Sequence, residues 1–268
     1  MLSWMKSELA GAKVLVTGAT SGVGRVLIAL LRERGAIPLV HGRRAEPVAE
    51  VAAGGRSFLA DLAALAEVSR LADEIAAAGP LDVLVNNAGV GFGADRTRRE
   101  LSQDGFELRF AVNYLAPFLL TEKLVARGLP RLAIINVASA GQAPLDEDDL
   151  MSERNYDGVL AYRRAKLALI SDTLERASRD PARAYVALHP GTFLDTKMVH
   201  EAGIAPRGTA EEGARTVLSA IEQALSGVTG AYFDRTQPAH AEPEAYDVRA
   251  RQRLRARTLE LLQRFASA

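Results

Sequence analysis

Residues 13–34 constrain the fold more than any other stretch. Lys13-Val14-Leu15-Val16-Thr17 is a short apolar run rich in β-branched residues and reads as a buried strand. Gly18-Ala19-Thr20-Ser21-Gly22-Val23-Gly24 turns the chain, and Val26-Leu27-Ile28-Ala29-Leu30-Leu31 continues as an apolar-faced helix. Gly18 permits a sharp turn, Gly22 leaves backbone open to a pyrophosphate, and Gly24 lets the helix lie close to its strand. The free N–H groups and positive dipole end of that helix suit phosphate charge. The outline is that of a dinucleotide site with its glycines spaced G-x-x-x-G-x-G rather than G-x-G-x-x-G. A glycine-rich turn with no ligand is the plain alternative.

A strand–turn–helix start of this kind is followed by more of the same. Ile37-Pro38-Leu39-Val40 is a second apolar run, and His41-Gly42-Arg43-Arg44 ends it. An acid at this point would bond a free ribose 2′-OH, whereas an arginine would pair with a 2′-phosphate. Gly42 stands about where the acid would be, so Arg43 and Arg44 favour NADP(H) over NAD(H), unless they only cap a strand end in solvent. A short helix runs through about Ala53, and 56–60 reads as a third strand ending in Asp61-Leu62. Asp61 can accept a bond from an adenine amino group, cap the alanine-rich helix to about Ala78, or both. Residues 81–85 form a fourth strand that ends in Asn86-Asn87-Ala88-Gly89, where small residues let backbone lie against a cofactor. Alternation at this spacing predicts one α/β domain over 1–268, a doubly wound parallel sheet of about seven strands with helices on both faces.

Residues 102–127 read as mostly helical, with Asn113 mid-helix where asparagine is a poor former. A fifth strand over 131–139 ends in Ser139. The acidic run Asp146-Glu147-Asp148-Asp149 lacks clustered His or Asn partners and reads as a solvated loop, so no metal site is expected. Tyr162 and Lys166 lie one turn apart on one face of a helix running to about Arg179. A sixth strand, 184–188, ends in His189-Pro190-Gly191-Thr192. Residues 193–209 mix apolar side chains with Gly203, Pro206 and Gly208, the composition of a substrate lid or of a plain connecting loop. A helix over about 211–225 and a strand near 229–233 close the sheet. The tail, 237–268, opens with turn residues and ends in an arginine-rich helix whose Leu254, Leu259, Leu261, Leu262 and Phe265 pack on the body or on a second subunit, as a homodimer or homotetramer would need.

Composition narrows the function classes. Lys+Arg and Asp+Glu both number 33, and this balance argues against a nucleic-acid partner. With no cysteine, disulfides, thiolate nucleophiles and cysteine metal sites are excluded. Residues 1–8 lack the apolar core of a signal peptide, and no apolar run approaches the ~18 residues of a membrane span, so a cytoplasmic protein is expected.

Taken together, Thr17-Gly18-x-x-x-Gly22-x-Gly24, Asp61, Asn86-Asn87-Ala88-Gly89, Asn113, Ser139, Tyr162-x-x-x-Lys166 and Pro190-Gly191 fall in one order over nearly the whole chain. In this the chain resembles the short-chain dehydrogenase/reductase family. Residues 110–118 and 161–167, with Tyr232-Phe233, look like its retinol-dehydrogenase-like branch and the bacterial relatives of that branch. Two departures stand out: Ala165 replaces a frequent serine, and the threonine usual after Pro-Gly is displaced, with Thr192 early and Thr196 one residue late.

The resemblance implies an NADP-dependent oxidoreductase interconverting a small-molecule carbonyl and an alcohol. It implies that Thr20, Ser21, Val23, Leu62, Asn87, Ala88 and Gly89, with the glycines, Arg43, Arg44, Asp61, Pro190, Gly191 and Thr192 or Thr196, contact the cofactor. Tyr162 and Lys166 are expected to touch it too. Tyr162 then acts as general acid/base with its pKa lowered by the Lys166 ammonium. Ser139 bonds the reacting oxygen, and Asn113 fixes the helix and holds a water linking Lys166 to solvent. Two other classes share features: a sugar-nucleotide epimerase or dehydratase, and a non-catalytic NADP-binding redox sensor. The first usually has a longer substrate region than the roughly 75 residues after Gly191, and a sensor would not need Ser139, Tyr162 and Lys166 intact. The apolar segment 193–209 points to a lipophilic substrate.

Overall fold

The computed structural model describes residues 9–128 and 133–266. Residues 1–8, positions 131–132 of the expected fifth strand and the Phe265 side chain lie outside this description. Eight strands form one sheet: β1 (Lys13–Val16), β2 (Ile37–Gly42), β3 (Ser57–Leu59), β4 (Val83–Asn86), β5 (Ala133–Val137), β6 (Ala184–His189), β7 (Ala231–Asp234) and β8 (Gln237–Pro238). Their order is β3-β2-β1-β4-β5-β6-β7-β8, parallel up to β7, with β8 antiparallel to β7. The eighth strand differs from the expected seven because Phe233↔Pro238 and Asp234↔Gln237 pair across a tight turn read in the sequence as turn residues alone.

The helices are α1 (Gly22–Glu33), α2 (Ala45–Ala52), α3 (Leu65–Ala77), α4 (Leu108–Phe110), α5 (Ala116–Ala126), α6 (Gly158–Arg179), α7 (Lys197–Glu201), α8 (Ala210–Leu225) and α9 (Val248–Ala266). Strand alternation divides the core between the two faces. Val14, Val16, Val186 and Leu188 pack with Leu27, Ile28, Val217 and Ile221 of α1 and α8. Leu15 and Tyr185 point the other way, onto Leu71, Ile75, Leu120 and Leu124 of α3 and α5. The helix expected over 102–127 starts only at α4, because 102–107 form a turn and bridge in which the Ser102 hydroxyl receives the Asp104 and Phe106 N–H groups. Between α4 and α5 the chain makes a π-turn, Ala111–Leu115, centred on Asn113. The tail packs on the body: Leu254 is buried with Tyr114 and Phe118, the Tyr114 and Thr258 hydroxyls are 2.7 Å apart, and Arg255 pairs with Glu122. Among the described residues no helix is long and apolar enough to cross a membrane.

The strand order reverses between β1 and β4, so a crevice opens at their carboxyl ends. A buried imidazole props its edge. His41, at the end of β2, accepts the Gly18 N–H on Nδ1 at 3.3 Å, which leaves Nε2 to donate to the Ala60 carbonyl at 3.2 Å. Accepting the Gly18 N–H requires the neutral ring, and burial lowers its pKa from 6.5 to about 4 against the opposing pull of the Ala60 carbonyl. The unfolded chain therefore takes up a proton between pH 6.5 and 4 that the fold refuses. Stability from this site is present above pH 6.5, falls as pH drops toward 4, and totals at most about 3 kcal/mol. In His41→Gln, denaturant unfolding should lose less stability across that window than wild type; equal losses would show that another group titrates.

Candidate active site

The turns after β1 and β4 are held together by the side chains of Thr17 and Asn87. The Thr17 hydroxyl receives the Asn87 and Ala88 N–H groups, both at 3.0 Å, and donates to the Val85 carbonyl at 3.3 Å. Asn87 Nδ2 returns a bond to the Thr17 carbonyl at 2.8 Å and to that of Gly18 at 3.3 Å. Gly18 has φ +64°, and a Cβ there would lie 2.8 Å from the Ala88 Cα. A Cβ on Gly24 would sit 2.5 Å from the Gly18 carbonyl oxygen, so close helix–strand packing requires that glycine. Gly22, at φ +51°, faces the Thr196 methyl rather than open space.

Several features fit these residues to a dinucleotide. Helix α1 has no side-chain cap and no acid in its first turn, so its first N–H groups are open to an anion. Ser21, its N-cap, is exposed, and the Val23 side chain is buried in the core, so Val23 presents only backbone. Gly42 has no space for a Cβ, which would meet the Thr20 and Val48 methyls at 2.7 Å. Beyond it Arg43 and Arg44 are exposed, and among the described residues neither has an acidic partner. Asp61 does not cap α3. Its Oδ1 takes the Ala63 N–H at 3.0 Å, while Asp104 bonds the Leu65 N–H at that helix start. Leu62 is buried in the core of that face.

Ser139, Tyr162, Lys166 and Asn113 come together beyond β4 and β5. The Lys166 Nζ is buried, donates to the Val137 carbonyl at 2.8 Å and lies 5.7 Å from the centre of the Tyr162 ring. Burial lowers its pKa to about 8. Desolvation raises the Tyr162 pKa, and its hydrogen bond with Ser139 acts the other way. Ser139 is anchored at both ends: its Oγ accepts the Gly141 N–H at 3.0 Å, and its carbonyl receives the Tyr232 hydroxyl at 3.0 Å. Asn113 grips Val90 twice, accepting its N–H at 2.8 Å and donating to its carbonyl at 3.0 Å. The amide thus ties the π-turn to the loop, as a helix-fixing residue would. A Cβ on Gly89 would lie 3.0 Å from Asn113 Oδ1 and 3.6 Å from Lys166 Nζ, so this glycine is where the group converges.

The two threonines separate. The Thr192 hydroxyl is 3.1 Å from His189 Nε2, whereas Thr196 stands at the N-cap position of α7 beside Gly22, with no side-chain bond to the helix. Gly191 has φ +138° and lies on Leu194, which is buried. The 193–209 segment is pinned at its base, where Leu194 bridges Gly208 and the Arg207 N–H reaches the Phe193 carbonyl at 2.8 Å. Sequence reasoning missed His41, Phe92 and Arg109. Arg109 and Asn113 both fall at core spacing among Phe106, Phe110 and Val112, and a charge on such a stripe is the signal that could have found the first of them.

The family model for short chain dehydrogenase matches residues 12–205. The chain belongs to that family. It is 32% identical to mouse (Mus musculus) retinol dehydrogenase 14, over 88% of this chain and 81% of that protein. It is 33% identical to a Streptomyces lividans protein named probable oxidoreductase, over 87% of each. Among solved structures, the Pseudomonas aeruginosa RhlG/NADP active-site complex superposes with a TM-score of 0.65 at 27% identity, covering 84% of this chain and 95% of that one. This short-chain dehydrogenase is an NAD(P)-dependent oxidoreductase of the retinol-dehydrogenase-like branch.

Gly24→Ala tests the packing that shapes the crevice. Overpacking against the Gly18 carbonyl should cost about 1–3 kcal/mol in thermal unfolding and weaken nucleotide binding with it. Unchanged stability would mean that the turn has room it does not display.

Proposed function

We propose that this protein is an NADP-dependent carbonyl/alcohol oxidoreductase in which Tyr162 is the general acid/base. The observation that carries this reading is the meeting of Ser139, Tyr162 and a buried Lys166 at the carboxyl ends of β4 and β5, next to an uncapped helix start. Bound reduced nicotinamide supplies hydride to the carbonyl carbon. The chain's own groups deal with the oxygen. Tyr162, protonated at neutral pH, gives its phenolic proton to the carbonyl oxygen, and Ser139 donates a hydrogen bond to that oxygen as charge develops. The Lys166 ammonium favours the resulting phenolate and is placed to reach a ribose hydroxyl. Asn113 holds the wall at Val90, and Thr196 rather than Thr192 is the threonine set to meet the cofactor. Residues 193–209 act as the lid, and the substrate is lipophilic.

NADP preference rests on Arg43 and Arg44. Each is exposed and lacks an acid partner among the described residues, and Gly42 leaves no carboxylate for a 2′-OH. Arg43→Ala should weaken NADPH binding by about 1.5–3 kcal/mol and leave NADH nearly unaffected. Equal wild-type affinities for the two nucleotides, read by titration, would rule the preference out.

Tyr162→Phe removes one hydroxyl and should abolish reduction of ketones, aldehydes and quinones while NADPH still binds. Ser139→Ala should slow turnover by roughly 10²–10³. A Tyr162→Phe enzyme turning over at the wild-type rate defeats the mechanism. If the wild type binds NADPH but reacts with no carbonyl or alcohol, the redox-sensor reading takes its place.

A further inference from the structure

The 89–100 loop, between β4 and α4, is fixed by charges that the proton chemistry does not use. Arg109 and Glu107 are each 1% exposed. Arg109 Nε donates to the Gly91 carbonyl at 3.0 Å, Nη2 pairs with Glu100 at 2.6 Å, and Nη1 lies 3.4 Å from Glu107. Glu107 in turn receives the Tyr156 hydroxyl at 2.9 Å and the Phe110 N–H at 2.7 Å. Gly93 lies close against the guanidinium: a Cβ there would be 2.5 Å from Nη2. With Asn113 holding Val90 and Arg109 holding Gly91, the two residues just before Phe92 are gripped through their backbone.

Phe92 is the side chain this clamp presents. Its ring meets the Tyr162 ring edge-to-face, with centroids 5.0 Å apart and planes at 87°. Its carbonyl lies against Gly158 at the start of α6, and the Arg96 guanidinium stands 5.8 Å from its ring. Phe92 is half-buried, so the residue is not sealed in the core. An apolar surface held at the proton donor meets whatever substituent the carbonyl carbon carries.

We propose that Phe92 is the specificity wall of the substrate cleft, selecting carbonyl compounds that bear an aryl or similarly flat apolar group, and that Arg109 is its positioning residue. This rests on the carbonyl-reduction reading above. Burying a guanidinium costs several kcal/mol unless its donors are used, and here one donor goes to loop backbone, so the ion group ties loop position to the folded core.

Acetophenone and acetone are the probes, in two measurements on each variant: KM and kcat with NADPH, and equilibrium binding to the protein–NADP+ complex. The wild type should favour acetophenone in both. Phe92→Ala should lower the acetophenone-to-acetone ratio of affinities about tenfold, or about 1.4 kcal/mol, and Phe92→Leu should recover part of it. Arg109→Lys should lower the same ratio in the wild-type background and leave it unmoved in Phe92→Ala, a coupling that general destabilisation would not produce. If Arg109→Lys does not fold, Glu100→Gln replaces it with the same expected coupling at smaller size. An unchanged ratio in Phe92→Ala overturns the wall, and an equal effect of Arg109→Lys in both backgrounds overturns the positioning role. Should the wild type reduce neither these ketones nor any other carbonyl, the reduction reading fails by itself, and the binding ratio still decides the wall.

Discussion

The Thr17 hydroxyl makes three hydrogen bonds where the sheet changes direction, and the crevice depends on them. It donates to Val85 and accepts from Asn87 and Ala88, so the ends of β1 and β4 cannot drift apart without stranding buried polar groups. Asn87 closes the arrangement by reaching back to the Thr17 and Gly18 carbonyls. His41 holds Gly18 from the other strand. With its turn fixed by neutral bonds on both sides, α1 needs no side-chain cap, and its first N–H groups stay open.

A second polar chain sets the height of α6 over the sheet. Asn86 Nδ2 donates to Asn136 Oδ1 at 2.8 Å across paired strands, and Asn136 donates to Thr173 of α6 at 2.8 Å. Thr173 passes the chain on to the Leu169 carbonyl. Each member is buried and partnered, so a slip of one residue between β4 and β5 would leave several groups unsatisfied. Seven residues earlier on the same helix, Lys166 reaches the Val137 carbonyl. The register of two strands therefore decides where the ammonium and the phenol above it stand.

The parts legible in the sequence were those made by local pattern. The apolar runs, the glycines after Thr17 and the Tyr162–Lys166 spacing place β1, α1 and α6 close to where they lie. What was not legible depends on partners far along the chain. Asp61 reads as a helix cap until Asp104, 43 residues on, bonds the first α3 N–H instead. Asn113 reads as a poor helix former, but a π-turn and the Val90 backbone give it a place. The two-residue strand β8 has no periodicity to detect. His41 looked like a strand terminus because nothing near it names Gly18 and Ala60 as its seats.

The loop joining β4 to α4 shows why charge is used where a ladder cannot be. From residue 87 to residue 107 the chain has no helix or strand of its own, yet more than half of it is at least partly shielded from solvent, and its backbone groups need partners. Side chains supply them at intervals, Asn113 at Val90 and Arg109 at Gly91, while the loop's own Arg99 reaches out to the Met151 carbonyl at 3.0 Å. The Arg96 carbonyl takes the Gly158 N–H at 2.8 Å. Most of these partners come from the π-turn, from α4 or from the start of α6, the segments that carry Asn113 and Tyr162. A loop held this way has no rigidity of its own. Its shape is inherited from the segments that carry Asn113 and Tyr162, so a change in its supports moves Phe92 before it alters the sheet beneath.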